Sequence, residues 1–149
     1  MSYERFLKDK LIKKQKPNFR QIQLQLQRSL KDLKTAEANL KIDLTWSMAI
    51  SYHAMIRAGR ALMYSKGFLP TARKSHKTIV EFTKSVLGHE YDTLVSKFNR
   101  LRRKRHNFIY DSKNRITHSE AISSLETAKK LVDEIIILVG KENPERNLL

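Results

Sequence analysis

The sequence contains no cysteine, and only 4 of its 149 residues are glycine and 3 are proline. The absence of cysteine excludes disulfides and cysteine-ligated metal sites, and it is typical of a reducing compartment. Scarce glycine and proline, beside abundant leucine, alanine, lysine and glutamine, favour an all-α fold with short connections. No apolar run approaches the ~20 residues that a membrane span needs, and no apolar signal segment opens the chain. We therefore expect a soluble, cytoplasmic protein.

Acidic residues are also scarce relative to basic ones. The chain has 30 lysines and arginines against 15 aspartates and glutamates, and its formal net charge is +15. Such a charge concentrates polyanions near the surface, so the first partner class to expect is nucleic acid and the second is acidic protein. A basic surface that serves solubility alone is a third interpretation, and composition leaves it open.

Hydrophobic spacing predicts six helices. They fit a single antiparallel bundle of four to five helices with a short N-terminal helical extension. Asparagine, aspartate, serine and threonine are good N-caps, glycine ends helices and proline excludes the residue before it from one. The first predicted helix is 3–14, ended by Pro17, and the second is 19–41, capped by Asn18. The third is 44–66, capped by Asp43 and ended by Gly67, and the fourth is capped by Ser75 and ended by Gly88. The fifth is 91–109, and the sixth begins at the capping box Thr117–Glu120. We divide the chain into an extension, residues 1–17, and a helical bundle, residues 18–149.

The fifth predicted helix carries the densest positive charge, because five of the six residues from 100 to 105 are basic. Its apolar residues form one helical stripe: Tyr91, Leu94, Val95, Phe98, Leu101, Phe108 and Ile109. The spacing predicts a further apolar residue at position 105, where the sequence has arginine. Arg100, Arg103 and Lys104 lie off the stripe and Arg102 lies at its border, so that Arg105 is the residue in need of an explanation.

An arginine on a core-facing stripe costs several kcal/mol unless it is paired or reaches a cleft. One interpretation is structural: a salt bridge to Asp111 or to an acidic residue of another helix, or a guanidinium that extends to the bundle end. The other is functional: an arginine that binds an anion, phosphate above all, in a cleft or at a subunit interface. Both interpretations stay open, and we expect Arg105 to be a functional charge.

Two neighbours of Arg105 extend the functional interpretation. His106 follows it, and Tyr110 lies one turn beyond His106 on the same side, so the three could bind and polarise a phosphodiester. A tyrosine at a helix end more often packs its ring and exposes its hydroxyl. His53 and His76 are isolated histidines that we interpret as packing or capping residues. No set of histidines and carboxylates has metal-ligand spacing, and we predict no metal and no cofactor.

Three segments together resemble the HEPN superfamily, and within it the small bacterial and archaeal proteins encoded beside minimal nucleotidyltransferases. They are "SYHAMIRAGRALMYSKGFLPTARKSHKTIVEF", the basic stretch that ends "RHNFIYD", and the capped last helix. The resemblance covers about residues 25–140. It implies a four- to five-helix bundle that dimerises and has a cleft at the interface. Many HEPN proteins are metal-independent ribonucleases and toxins, with a motif of arginine, a polar residue, three variable residues and histidine.

The motif carried over by this resemblance departs from the family pattern at its last position. The motif arginine falls on Arg105, the polar residue on His106, and the final histidine on Tyr110. Imidazole titrates near neutrality, whereas a phenol with a pKa of ~10 is a poor general base. In related toxin–antitoxin pairs the nucleotidyltransferase silences its partner by transferring AMP to a tyrosine near the motif, which makes Tyr110 a candidate acceptor.

Three functions remain open on the sequence. The first is an RNA- or nucleotide-associated HEPN subunit of a nucleotidyltransferase-linked toxin–antitoxin type system, with a degenerate ribonuclease motif. The second is a non-enzymatic binding or scaffold dimer. The third is an active metal-independent ribonuclease that uses Arg105, His106 and Tyr110. Under each, the predicted phosphate-binding residues are the basic run of the fifth helix: Arg100, Arg102, Arg103, Lys104 and Arg105.

Overall fold

The structure is a computed structural model that describes residues 3–110 and 115–144. It is an all-α bundle with one very small sheet, as the sequence predicts. The helices are α1 (Glu4–Lys8), α2 (Phe19–Asn39), α3 (Leu44–Ser65), α4 (Ser75–Leu87), α5 (Asp92–Tyr110) and α6 (His118–Glu142), and a single 3₁₀ turn (His89–Tyr91) precedes α5. Strands β1 (Ile12–Lys14) and β2 (Phe68–Pro70) pair antiparallel, with Ile12 opposite Pro70.

Three predicted caps are confirmed by their hydrogen bonds. The side chains of Asn18, Asp43 and Thr117 accept from the backbone N–H groups of Gln21, Trp46 and Glu120, respectively. Each bond satisfies one of the donors that the first turn of a helix leaves without a partner. These caps therefore fix where α2, α3 and α6 begin.

The predicted cap at Ser75 is wrong, because Ser75 is itself the first residue of α4. The N-cap is Lys74, whose backbone is left-handed with φ 51° and whose side chain makes no capping bond. At the other end of the preceding connection Gly67 has φ +89°, which glycine adopts without the steric cost that a Cβ imposes. Gly67 thus ends α3 as predicted.

Helix α3 is the centre of the bundle, since it packs against α2, α4, α5 and α6 as well as β2. Small residues allow this close packing: a Cβ added at Gly59 would lie 2.5 Å from Cγ2 of Ile79 on α4. The core around it is continuous and contains side chains of every helix. Its largest fully buried members include Phe82, Phe98, Ile22, Leu26, Met55, Leu62, Leu131 and Ile135.

The N-terminal segment differs from its prediction. Instead of one helix over residues 3–14, α1 ends at Lys8, and Ile12–Lys14 forms β1. Phe6 and Ile12 are buried in the core, and the ring of Tyr3 stacks on Phe82 with 4.7 Å between centroids. The division of the chain after residue 17 stays a prediction.

None of the helices within the described ranges combines the length and the hydropathy that crossing a membrane requires.

Candidate functional site

The apolar stripe of α5 is confirmed by burial. Val95, Phe98, Leu101 and Phe108 are all buried, whereas Arg105 on the same face is only half-buried. The helix thus positions a guanidinium between two core residues, at the border between the interior and the solvent. This location is the one that the spacing of the stripe predicts for residue 105.

The guanidinium of Arg105 contacts a histidine and a tyrosine. Its Nη1 lies 2.8 Å from Nδ1 of His76, at the start of α4, and the hydroxyl of Tyr52 on α3 lies 2.8 Å from the same nitrogen. Within the described part of the chain Arg105 has no ion pair with a carboxylate. The predicted alternative partner Asp111 lies outside the described residues. The described contacts of the Arg105 guanidinium are therefore with uncharged groups.

The contact determines the protonation of His76. A guanidinium carries only donors, and of the two ring nitrogens near Nη1 the closer one accepts: Nδ1 lies at 2.8 Å and Nε2 at 3.5 Å. Nδ1 of His76 is accordingly unprotonated, and the ring proton of the neutral tautomer resides on Nε2. Because Nδ1 has one lone pair, Arg105 and Tyr52 share it, and Tyr52 can satisfy it alone whenever Arg105 binds elsewhere.

The electrostatics of the site agree with this assignment. Burial, followed by the positive charge of Arg105 and with a smaller contribution from Arg102, lowers the pKa of His76 from 6.5 to about 4. Burial raises the pKa of Tyr52 to about 12, against the opposing effect of Arg105. At neutral pH the imidazole and the phenol are both uncharged, so neither neutralises Arg105.

The basic run of α5 divides between faces of the helix. Arg100 and Lys104, one turn apart, line a cleft of about 290 Å³ together with hydroxyl residues of α6 such as Ser123. Arg102 donates from Nε to Oδ1 of Asn99 at 2.9 Å and lies close enough to affect the pKa of His76. Arg103 is exposed. The predicted phosphate-binding residues therefore present charge in several directions rather than as one patch.

The other two predicted catalytic residues lie next to each other but do not share the contacts of Arg105. The ring centroids of His106 and Tyr110 are 5.0 Å apart, and 69% of Tyr110 is exposed. The described contacts of Arg105 are instead with Tyr52 and His76. Their joint role in catalysis stays a prediction.

Comparison with known proteins assigns the fold to a family. The HEPN domain family matches residues 22–139. The chain belongs to the HEPN family. None of the curated proteins compared with it matches.

The HEPN match runs from α2 into α6 and leaves out α1 and β1. It includes all the residues discussed for the site: Tyr52, His76, Arg100, Arg102, Arg103, Lys104, Arg105, His106 and Tyr110. The resemblance inferred from the sequence is thereby confirmed at the level of the superfamily. In this HEPN bundle the described partners of Arg105 come from α3 and α4.

Sequence reasoning missed Tyr52 and His76 as partners of Arg105. His76 lies next to the predicted start of α4 and Tyr52 lies among the apolar residues of α3, so each has an ordinary explanation in its own helix. A signal was present, since a basic residue on an apolar stripe requires a polar partner on a facing helix. The spacing along one helix does not reveal which facing residue supplies it.

The lowered pKa of His76 predicts a pH dependence of stability. A histidine that stays neutral in the folded state but becomes protonated in the unfolded state makes the free energy of unfolding fall as the pH decreases from 6.5 to about 4. The shift corresponds to at most about 3 kcal/mol, and solvent screening at this half-buried ring reduces the expected contribution to roughly 1 to 2 kcal/mol. The free energy of unfolding, measured by urea denaturation at several pH values between 6.5 and 4, should therefore decrease less for His76→Gln than for the wild type.

His89→Gln is the matched control, because the side chain of His89 is fully exposed. This variant should retain the part of the decrease that His76→Gln loses. Equal slopes for wild type and His76→Gln would contradict a neutral His76 in the folded protein.

Proposed function

We propose that this HEPN protein is an RNA- or nucleotide-associated subunit in which Arg105 binds phosphate, within a nucleotidyltransferase-linked toxin–antitoxin type system. Membership of the HEPN family supports an RNA-associated function in general. The finer assignment rests on the chemistry of the site and on the resemblance of the sequence to HEPN proteins encoded beside nucleotidyltransferases.

The observation that carries the proposal is the environment of Arg105. A structural arginine at the edge of a core is normally paired with a carboxylate, because an unpaired buried charge costs several kcal/mol. Among the described residues Arg105 contacts a neutral imidazole and a neutral phenol instead. Among these described contacts its charge is not neutralised, and two oxygens of a phosphate group can accept in parallel from the planar, two-pronged edge of a guanidinium.

The remaining charge of α5 supports a polyanionic partner. Arg100, Arg103 and Lys104 are exposed and surround the helix on which Arg105 lies. Each lysine or arginine that contacts a phosphate releases counterions from the nucleic acid, so the affinity gained from them is salt-dependent and independent of sequence. Together with the net charge of +15, this arrangement favours RNA over an acidic protein partner.

The proposed ribonuclease motif is degenerate, because Tyr110 occupies the final histidine position. His106 contacts the Tyr110 ring rather than Arg105. A phenol is a weak proton acceptor at neutral pH. The large exposure of Tyr110 instead supports its role as an acceptor of AMP from a partner nucleotidyltransferase. We further propose that two copies of the chain associate, as HEPN proteins do, and that Arg105 lies near the cleft between them.

The proposal predicts salt-sensitive RNA binding that depends on Arg105. Affinity for a mixed single-stranded RNA, measured by fluorescence anisotropy, should fall steeply between about 50 and 200 mM salt. Arg105→Ala should lose a charge-assisted contact of roughly 1.5 to 3 kcal/mol, while its melting temperature stays near that of the wild type. Arg20→Ala, which removes the same charge from an exposed position on α2, is the control and should change affinity little. Undetectable binding at low salt would eliminate the RNA-associated function.

The same preparations test catalysis. We expect little or no cleavage of RNA in the presence of EDTA, because Tyr110 rather than a histidine occupies the last position of the motif. Robust cleavage that Arg105→Ala, His106→Ala or Tyr110→Phe abolishes would contradict the degenerate motif and would instead establish the chain as an active metal-independent ribonuclease. Cleavage that survives all three substitutions would point to a contaminating nuclease.

A further inference from the structure

A second polar site shares His76 with the contacts of Arg105. It is a cleft of about 550 Å³ whose walls come from α2, α3, α4 and β2. We call it the α2–α3–α4 cleft. Its polar lining consists of Gln21, Gln25, His53, Arg57, Arg60, Tyr64 and His76.

The polar residues of α3 in this cleft form a single stripe. His53, Arg57, Arg60 and Tyr64 follow each other at intervals of four, three and four residues, which places them on one face of a helix. Most of the rest of α3 is buried, and most of its buried residues are apolar. These two arginines, the histidine and the tyrosine therefore face a ligand or solvent rather than the core.

Arg57 is held rigidly within this stripe. Its Nε donates to Oδ2 of Asp32 at 3.1 Å and its Nη1 donates to Oε1 of Gln25 at 2.8 Å. Asp32 is also paired with Arg28 at 3.4 Å. Two arginines therefore share one carboxylate, so Asp32 does not fully neutralise Arg57, which lines the cleft.

Arg57 also determines the proton position on His53. Its Nη2 lies 3.0 Å from Nε2 of His53, and because arginine only donates, Nε2 is the unprotonated nitrogen. Burial and the charge of Arg57 lower the pKa of His53, against the opposing effect of Asp32. His53 is accordingly neutral, with its proton on Nδ1. His76 has the complementary arrangement, with Nδ1 accepting from Arg105 and the proton on Nε2.

Both histidines of the cleft are thus fixed by an arginine in a form that retains one N–H donor. Arg60 is exposed at the same cleft and makes no hydrogen bond or ion pair with the residues that the structure describes. The cleft therefore combines an unengaged guanidinium with two imidazole N–H groups and a positively charged wall. These are donors for an anion and poor ligands for a cation.

We propose that the α2–α3–α4 cleft binds a phosphate monoester, with Arg60, His53 and His76 as the contacting residues and with Arg57 and Arg105 as the positioning residues that orient the two imidazoles. A cleft of this size suits a mononucleotide or the end of an RNA strand. The aromatic ring of Tyr64, apart from its polar hydroxyl, supplies with Ile56 and Leu69 an apolar wall on which a base can pack. This inference rests on the proposed association with RNA or nucleotides. It adds to the phosphate contact of Arg105 a second site, which binds a terminal phosphate.

The test uses AMP, inorganic phosphate and adenosine as probes of the purified protein. ¹H–¹⁵N spectra of the histidine side chains should show saturable shifts of His53 and His76 with AMP and with phosphate but not with adenosine. A bound dianion favours the protonated imidazole, so the pKa of His76 should rise by at least about one unit in the presence of saturating phosphate. Arg60→Gln should weaken AMP binding about tenfold or more.

Arg73→Gln is the matched control, because it removes the same charge from an exposed position that lines a different cleft. Arg73→Gln should leave the affinity for AMP within about twofold of the wild type. Equal losses of affinity for Arg60→Gln and Arg73→Gln would show that only the net charge of the protein matters, and would overturn the proposal. Binding of a 5′-phosphorylated RNA tetranucleotide and of its 5′-hydroxyl counterpart distinguishes a strand end from a free nucleotide.

Failure of this inference is distinguishable from failure of the proposed function. If mixed RNA binds through Arg105 but AMP and phosphate leave both histidine signals unchanged up to about 10 mM, the cleft is not a phosphate site although the RNA association stands. If AMP shifts the histidines and mixed RNA does not bind, the cleft is a nucleotide site and the RNA association fails.

Discussion

The contact between the guanidinium of Arg105 and Nδ1 of His76 is the interaction on which the site depends. It places a cation at the edge of the core without a described carboxylate to neutralise it, and it requires His76 to be neutral. Tyr52 accounts for the stability of this arrangement, since its hydroxyl reaches the same nitrogen from the buried side of α3. An imidazole satisfied from within the protein leaves the arginine free to exchange one partner for another at little cost to the fold.

The same contact joins two surfaces of the bundle. His76 contacts Arg105 of α5, the helix that carries the exposed basic residues, and it also lines the α2–α3–α4 cleft together with His53 and Arg60. Each histidine accepts from an arginine, and the arginines themselves come from different helices. Packing of α3 against α4, permitted by the missing side chain of Gly59, brings these elements close enough for His76 to take part in both.

Local rules predicted much of the fold. The caps Asn18, Asp43 and Thr117 and the stripe of α5 follow from chemistry within one helix, and the stripe alone singled out Arg105. Pairing of Ile12–Lys14 with Phe68–Pro70 was missed, because two three-residue strands more than fifty positions apart leave no hydrophobic period to read. His76 was missed for a related reason, since its significance comes from a facing helix. By contrast, the spacing of His53, Arg57, Arg60 and Tyr64 is enough to predict a polar face on the otherwise apolar helix α3.

The most direct test of the account is the free energy of unfolding of Arg105→Met beside that of the wild type, measured by urea denaturation near pH 7.5 in a buffer free of phosphate. Methionine replaces the charged side chain by a flexible apolar one that suits the stripe of α5. If Arg105 is an unneutralised cation held for a ligand, with Tyr52 able to satisfy His76 in its absence, the substitution should leave the stability within about 1 kcal/mol of the wild type or increase it. A loss of about 3 to 5 kcal/mol would show that Arg105 is one partner of a structural ion pair, and would contradict the central claim.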